Sequence, residues 1–583
     1  MQGLEVRIRP CYNRPSSPPP VTSTAPAPAA SVAGKDPLLE DFSSDEVEEG
    51  SLSTLLIGDN NLPQTYSQAM SSTERHSWPQ AVEKEISSLR DNGTFEYVPK
   101  AAAQGARILH SRWVFTKKLE ADGSIRFKAR LVARGDRQRA GIDYEEVYSP
   151  VVNPIVLRSM FAVAAVHNYD LDQMDAVTAF LNAPLQEDLY LHVPDGFQRR
   201  GDHVLKLKKS LYGLRQAPRY WNKTLHDWLL KQGLQQSKVD QCLYFIPNQL
   251  WLVFWVDDFL IMAANRKTKE AFKAAISKQF KMRDLGPINQ FLGMKITRDR
   301  VQRTLTLSSA QHIASMLERF GMADAKPTMS PLPVKTVLKA ATASEELLTA
   351  QYPYRAVVGS LNYVACWTRP DIAFAVSQVA RFQEKPTMRH WQAAKHILRY
   401  LKGTSSVALR FSASSTAGTG TVGDSRPSIT GYVDASWGED LDTRRSQSGY
   451  AFVYGGASIA WSTKLQTTVA LSSTEAEYLA LSSATREALF LRNVFSELCP
   501  ADIPSSLPLY EDNQSTIKQA LNLQSSARTK HIDVRHHFLK QHISEGRILL
   551  EYVPTDQQPA DCLTKCLDRI KVASHRQTLL GSE

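Results

Sequence analysis

Cysteine is scarce: six in 583 residues, at positions 11, 242, 366, 499, 562 and 566. That density excludes a disulfide scaffold and fits a reducing compartment. No run of 18 apolar residues occurs, which excludes a membrane-spanning helix. Residues 1–10 alternate apolar and charged side chains and lack the continuous apolar stretch of a secretory signal. No internal repeat is apparent. The bulk composition, 43% hydrophobic and 22% charged, is that of a chain able to bury a core. The length suggests about three or four domains.

Charge is unevenly spread. Lys and Arg number 69 against 59 Asp and Glu, a net +10; residues 1–72 hold 9 acids and 4 bases, so the remainder carries +15. A body of that sign favours a polyanionic partner such as nucleic acid or a membrane surface, with plain solubilisation as the bland alternative. Residues 10–37 contain eight prolines and residues 40–49 six acids, a composition that predicts a disordered arm over about 1–75. Order is expected near Trp78, where Trp78, Val82, Ile86 and Leu89 recur at helical spacing. Residues 107–139 carry ten bases against three acids on two strand-like runs separated by Ala121-Asp-Gly-Ser124. A basic hairpin of this kind tracks a phosphate backbone, or protects an edge strand. Helices are expected over 220–230, 269–280 and 310–320, a hairpin around Gly455-Gly456, and a Ser/Thr/Gly-rich linker at 412–429.

Two sets of acids stand out. In Trp251-Leu-Val-Phe-Trp-Val-Asp-Asp-Phe-Leu-Ile-Met-Ala263 an acidic pair, Asp257 and Asp258, interrupts two apolar runs that read as a buried hairpin. Two carboxylates about 4 Å apart repel by roughly 4 kcal/mol at an effective dielectric near 20, and burial adds to the cost. The pair either points to water or holds a divalent cation. Asp175, at the end of another strand-like run, supplies a carboxylate from a second strand, as an octahedral ion site requires. Asp170 and Asp172 alternate along that run and are expected to face solvent. Beyond residue 430, Asp434 on a strand, Glu475 and Glu477 at the start of a helix over 474–495, Asp512 after a short strand, and Asp561 at a helix start make a possible second two-metal site. Glu475 and Glu477 also suit a helix N-terminus. Cys562 and Cys566 lie one helical turn apart with no second ligand pair, so zinc is not expected there.

These residues carry a resemblance. Arg112-Trp-Val-Phe, Lys128-Ala-Arg-Leu-Val-Ala-Arg-Gly135, Gln173-Met-Asp175, Thr178-Ala-Phe-Leu-Asn182, Ser210-Leu-Tyr-Gly-Leu-Arg-Gln-Ala-Pro218, Val256-Asp-Asp258 and Phe291-Leu-Gly-Met294 occur in an order that resembles copia-type LTR retrotransposon polyproteins. So do Ser472-Ser-Thr-Glu-Ala-Glu-Tyr478, Glu511-Asp-Asn-Gln-Ser515, Arg528-Thr-Lys-His-Ile-Asp533 and Ala560-Asp-Cys-Leu-Thr-Lys565. The resemblance implies an α+β chain: a right-hand reverse transcriptase followed by an RNase H-like α/β domain. Fingers and palm would span 76–300, thumb and connection 301–411, and the RNase H-like domain 430–575.

It further implies an RNA-directed DNA polymerase with ribonuclease H activity, using Mg²⁺, or Mn²⁺ in its place. Asp175, Asp257 and Asp258 would serve the polymerase metals, and Asp434, Glu477, Asp512 and Asp561 the nuclease metals. Glu477 is preferred to Glu475 because Tyr-Leu-Ala follows it. Phe180 would exclude the ribose 2′-hydroxyl, and Gly213 would lie against the nascent base pair. Lys128 and Arg130 would approach the triphosphate or contact the backbone. Implied partners are an RNA template, a DNA primer, an RNA–DNA hybrid and dNTPs, with no membrane. The implied setting is the cytoplasmic virus-like particle, with the nucleus as a further compartment.

Three positions depart from the family pattern: Trp255 before Val-Asp-Asp, Asp136 after Gly135, and Ala176 after Asp175. No His-containing loop precedes Asp561; Thr555-Asp-Gln-Gln558 stands there. No capsid-, protease- or integrase-like motif precedes the polymerase, so the chain is expected to be a fragment, a processed product or a truncated copy. Two rival readings are a non-catalytic, element-derived nucleic-acid-binding protein and a nuclease whose first half is only a binding platform.

Overall fold

A computed structural model describes residues 62–119, 124–413, 428–522 and 533–581. Outside them lie most of the expected arm, three residues of the 121–124 turn, most of the 412–429 linker and nearly all of the Arg528–Asp533 motif with His531. Among the described residues no helix is long and apolar enough to cross a membrane.

Order begins earlier than the arm boundary at 75 implies. Thr65 and Gln68 form a capping box that starts the helix Tyr66–Ser71, and Ala69 on that helix is fully buried. The Tyr66 ring lies 6.4 Å from Trp113, and Glu74 pairs with Lys117 at 2.9 Å. Lys117 of the basic hairpin is thus buried against this segment. One capped helical turn carries little hydrophobic signal in a composition reading.

The helix Trp78–Asp91 follows and buries Trp78, Val82, Ile86 and Leu89, as their spacing predicts. It packs on the two-stranded ribbon Ser111–Leu119 and Ile125–Ala133, which pairs antiparallel from Ser111↔Ala133 to Leu119↔Ile125. A four-stranded sheet runs in the order Phe95–Pro99, His203–Lys209, Pro184–Leu191, Ile108–Leu109. These elements share one apolar cluster, from Ala69 to Ala217.

A six-stranded antiparallel sheet comes next. Its order is Met282–Pro287, Asp170–Ala176, Asp258–Ala263, Leu250–Trp255, Leu243–Ile246, Gln235–Gln236. The helices Pro154–His167, Ala217–Lys231 and Arg266–Gln279 contribute side chains to its core. The first starts at Asn153, whose side chain accepts from Ile155 N, and stops at Asn168 in the left-handed region.

The expected division at 300/301 lies within a hairpin. It falls between Met294–Asp299 and Thr304–Ser308, two paired strands of one hairpin. Leu409–Ser412 joins the same sheet beside Thr304–Ser308. A cut there would strand a row of ladder hydrogen bonds. The helices Tyr354–Trp367, Ala373–Ala380 and Met388–Gly403 complete this region.

The C-terminal sheet has the order Ala457–Leu465, Gln447–Tyr454, Thr430–Ser436, Leu507–Glu511, Ile548–Tyr552. The first three strands are antiparallel and the last two add in parallel. Gly455 and Gly456, both at positive φ (60° and 83°), make the tight turn that the sequence signals. The helix Ser473–Leu498 crosses between Ala457–Leu465 and the parallel strand, capped by Ser472 accepting from Glu475 N. The last helix, Arg569–Leu580, runs past the expected end at 575.

Residues of the six-stranded sheet and the C-terminal sheet belong to one continuous apolar cluster. Arg158 donates from Nε to Ile459 O at 2.8 Å and from Nη1 to Cys366 O at 2.7 Å, with its guanidinium 3.9 Å over Trp461. Trp251 Nε1 donates to Glu497 O at 2.7 Å.

Candidate active sites

The first acid group is built by strand pairing. Asp175 stands opposite Asp258 on adjacent strands, so their side chains share a face. Asp257 sits in a two-residue turn closed by the pair Trp255↔Asp258. The other turn residue, Val256, has φ +55°, a left-handed conformation that a β-branched residue adopts only at a cost of about 1–3 kcal/mol. Two contacts hold it: Trp221 Nε1 donates to Val256 O at 2.7 Å, and Ala176 N donates to Asp257 O at 2.8 Å. Burial, then repulsion from Asp175, pushes the Asp257 carboxyl above its ordinary range, while Arg130 and Lys128 oppose that shift. Asp258 is buried and accepts from Gln173 Nε2 at 3.4 Å.

The basic ribbon reaches this group from the other side. Burial, and next to it the charge of Arg130, lowers Lys128 to about 8. Arg130 lies 4.7 Å over the Tyr212 ring, and Tyr212 meets Phe180 edge to face at 5.0 Å. Burial raises the Tyr212 hydroxyl strongly, with the charges of Asp257 and Asp175 adding to it. Gly213 has φ +83°, and a Cβ there would stand 2.3 Å from Ala133 O. Only glycine lets this loop reach the ribbon that carries Lys128 and Arg130. The structure thus brings Lys128, Arg130, Phe180 and Gly213 into one neighbourhood with Asp175 and Asp257. Tyr212, the ring joining Arg130 to Phe180, stands in a motif of the sequence but is given no role there, although its place beside Gly213 was a signal.

Asp172 does not face solvent, and Asp170 is half-buried. Asp172 is 4% exposed and accepts from Lys269 Nζ at 2.9 Å and Lys273 Nζ at 2.7 Å. The helix Arg266–Gln279 covers that face, and its lysines at i and i+4 reach both acids; Lys269 lies 3.1 Å from Asp170. Strand alternation assigned the face correctly and missed what covers it.

The three departures from the family pattern have plain settings. Trp255 is half-buried, 6.3 Å edge to face from Trp367. Asp136 accepts two hydrogen bonds from Arg134, at 2.8 and 2.7 Å. Ala176 is buried and supplies the backbone N–H that holds Asp257.

The second acid group is tighter. Ligand oxygens of Asp434, Glu477 and Asp512 lie within 4.8 Å of one another; among the described residues, Asp175, Asp257 and Asp258 do not close to that distance as a trio. Asp434 is fully buried on the central strand opposite Gly449. A Cβ at Gly449 would meet Leu563 and Thr564 at 2.8 and 2.7 Å, so glycine admits the segment bearing Asp561. That segment is a 3-10 turn, Pro559–Leu563, not the start of an α-helix as expected; the α-helix begins at Arg569. Gln558 stands where the family loop was sought. It is fully buried and donates to Val433 O at 2.8 Å and Tyr510 O at 3.3 Å, tying the turn to two strands.

Two residues complete the group and were missed. Glu511 is fully buried; Leu507, Leu509 and Glu511 alternate onto one inward face, which was the available signal. Lys565 Nζ lies 3.1 Å from Asp434 and 2.9 Å from Asp561, and Thr564 Oγ1 donates to Asp434. Asp561 is therefore joined to the trio through Lys565. Burial pushes Asp434, Glu477, Glu511 and Asp561 upward; for Glu477 repulsion from Glu511 comes next. Glu477 Oε2 and Glu511 Oε2 are buried without a hydrogen-bond partner. Glu475 instead accepts from Leu471 N at 2.8 Å, outside the group. Orphaned carboxylate oxygens beside buried acids fit a hard divalent cation such as Mg²⁺.

Comparison with known proteins agrees with these motifs. A family model described as reverse transcriptase (RNA-dependent DNA polymerase) matches residues 92–334. The retrovirus-related Pol polyprotein from transposon TNT 1-94 of Nicotiana tabacum is 40% identical over 530 residues, covering 89% of this chain and 39% of that one. The corresponding polyprotein from transposon RE2 of Arabidopsis thaliana is 35% identical over 519 residues, 88% and 34% of the two chains. A transposon Ty5-1 protein of Saccharomyces cerevisiae is 33% identical over 320 residues, 54% of this chain and all of that one. The solved N-terminal RNase H domain of a Mycobacterium tuberculosis protein aligns with 26% of this chain and 97% of that one, at 14% identity and a TM-score of 0.19.

The motifs over residues 92–334 are those of a reverse transcriptase domain. The chain belongs to the Ty1/copia-type retrotransposon Pol family. It spans about two-fifths of the length of the TNT 1-94 polyprotein and about a third of that from RE2.

Proposed function

We propose that this chain copies retrotransposon RNA into DNA and degrades the RNA strand of the resulting hybrid. The observation that carries the reading is the pair of acid groups, in each of which burial and then mutual repulsion raise a carboxyl and a divalent cation would relieve both: Asp257 beside Asp175, and Glu477 beside Glu511, Asp434 and Asp512. In right-hand terms, the residue 76–300 region acts as fingers and palm and residues 301–411 as thumb and connection, with the hairpin at 294–308 shared between them.

Asp175, Asp257 and Asp258 would hold Mg²⁺ at the polymerase site, and Asp434, Glu477, Asp512 and Asp561 at the nuclease site, with Glu511 assisting. The bound ions supply charge stabilisation to the attacking and leaving oxygens of phosphoryl transfer. Lys128 and Arg130 bring positive charge toward the triphosphate from the ribbon. Tyr212 and Arg130 hold the Phe180 ring as a wall that rejects a ribose 2′-hydroxyl. Trp221 and Ala176 fix the strained turn, so Asp257 needs no rearrangement when substrate arrives. RNA template, DNA primer, dNTPs and the hybrid are the substrates, and the cytoplasmic particle with passage to the nucleus is the setting.

The test is primer extension on an RNA template with Mg²⁺ or Mn²⁺, run beside cleavage of an RNA–DNA hybrid. Asp257→Asn is expected to lower extension by at least about 100-fold, the scale of losing one preorganised charge contact, and to spare cleavage. Asp512→Asn is expected to do the reverse. Wild-type protein with neither activity would favour the non-catalytic reading; cleavage without extension would favour the nuclease on a binding platform.

A further inference from the structure

A third cluster lies away from both acid groups, where the C-terminal unit meets the six-stranded sheet. His167 ends the helix Pro154–His167, beside left-handed Asn168. Cys499 caps the end of the helix Ser473–Leu498, and Asp502 follows in the turn Pro500–Asp502. Asp502 Oδ2 stands 2.6 Å from His167 Nε2, and Cys499 Sγ stands 3.3 Å from the same nitrogen. The donor atoms of all three residues lie within 4.8 Å of one another. Tyr454 donates its hydroxyl to Asp502 and lies 3.5 Å from His167 Nε2. Cys499 and Asp502 are buried, while the His167 side chain is 26% exposed, leaving a path from solvent.

Hydrogen bonds serve the Asp502 carboxylate, which pairs with His167 and accepts from Tyr454, before they serve the Cys499 sulfur. An imidazole nitrogen carries at most one proton, so Nε2 satisfies one of its two close neighbours as donor. A thiolate, an imidazole and a carboxylate are the donor set of a borderline-soft divalent ion, and Zn²⁺ takes all three tetrahedrally. Tetrahedral bonds of about 2.0–2.3 Å set donor atoms roughly 3.4–3.6 Å apart. The Cys499–His167 spacing is already close to that, and the Asp502–His167 spacing needs a small side-chain rotation. Tyr454 then serves as the outer hydrogen bond that orients the carboxylate.

We propose that His167, Cys499 and Asp502 form a zinc site that staples the polymerase body to the RNase H-like unit, with water in the fourth position. The three ligands come from residues 332 and 335 positions apart in sequence. The ion therefore cross-links the end of a helix on one sheet to the end of a helix on the other. This role is independent of Mg²⁺ chemistry and of whether either activity is present.

The test uses the full chain, stripped with chelator and titrated with Co²⁺ and then Zn²⁺ as probes. With the acid groups occupied by excess Mg²⁺, the expected result is a thiolate-to-cobalt charge-transfer band that saturates at one equivalent of Co²⁺, is displaced by Zn²⁺ and is absent with Mg²⁺ alone. Cys499→Ser and His167→Gln should each remove the band and weaken Zn²⁺ binding by more than the roughly 10–100-fold that an outer-shell change costs. Cys366→Ser should retain it. If Cys499→Ser does not fold, His167→Gln, at the more exposed ligand, decides alone. The inference is overturned if wild-type protein gives no thiolate band, or if the band survives in either ligand variant.

Discussion

Lys565→Met isolates the cation that the second acid group carries for itself. Lys565 Nζ stands 3.1 Å from Asp434 and 2.9 Å from Asp561, and each contact is worth about 5 kcal/mol gross at an effective dielectric near 20. Desolvation offsets most of that, but the two carboxylates are 1% and 2% exposed and would remain behind. Breaking a buried pair by deleting one partner costs about 3–5 kcal/mol, because a charge is left uncompensated. The ammonium is itself 30% exposed, which argues for the lower end. A divalent ion bound among the same carboxylates would replace the missing charge. The expected loss is therefore about 3 kcal/mol in chelator and clearly less in excess Mg²⁺. A chain of this size does not unfold in two states, so native-state hydrogen exchange on the Thr430–Ser436 strand is the suitable measurement. A loss below about 1 kcal/mol in chelator, or an equal loss with and without Mg²⁺, would refute the electrostatic account.

Arg369→Met should destabilise the Tyr354–Gly403 region by about 3–5 kcal/mol, seen as faster exchange there. Arg369 is fully buried, pairs with Asp371 at 2.8 and 2.7 Å, and donates to Thr404 O at 2.8 Å. Gly213→Ala should cost at least about 1–3 kcal/mol, since it strains a positive φ and drives a methyl into Ala133 O. It should raise the KM for dNTP more than it lowers kcat, because the displaced ribbon carries Lys128 and Arg130; a change in kcat alone would count against that placement. Lys128, lowered to about 8, should lend triphosphate affinity a falling limb near pH 8, and Lys128→Arg should abolish it. In chelator, stability of the C-terminal sheet should fall as pH rises from about 4.5. Glu477 and Glu511 have folded pKa values above their unfolded ones, so the folded state binds more protons in that window. Excess Mg²⁺ should flatten the slope; an opening free energy of the Leu507–Glu511 strand that does not change with pH, once the intrinsic pH dependence of amide exchange is removed, would contradict it.

Much of this was legible in the sequence because periodicity and turn chemistry are local. The stripe Trp78, Val82, Ile86, Leu89 and the Gly455-Gly456 turn each need only a few neighbouring residues to be read. The acid groups were legible for a different reason: a carboxylate inside an apolar run is expensive, and Asp257, Asp258 and Asp434 all sit in such runs. What escaped depends on residues distant in sequence. Asp172 was assigned to solvent because nothing near it announces the lysines of a helix about a hundred residues later. Glu511 was overlooked beside Asp512 because burial of the strand face is a tertiary fact. The hairpin across 300/301 was divided because family boundaries follow motifs, while the sheet follows hydrogen bonds.

The two acid groups also differ in where their positive charge comes from, and the cores explain the difference. Asp175, Asp257 and Asp434 lie on sheets whose side chains share one apolar cluster, tied by Arg158, Trp461 and Trp251. Lys128 and Arg130 lie on a ribbon whose apolar residues belong to the other cluster, and Phe180 packs against both. Close-packed clusters move as units more readily than they deform. Any motion of the ribbon therefore changes the charge at the first group while leaving the two carboxylate sites at a fixed separation. The second group needs no such approach, because Lys565 is four residues from Asp561 on the same segment. On the proposed function, a cation delivered by a separate cluster suits a site that would admit and release a charged substrate at every step. A resident cation suits one whose acids must stay folded between substrates.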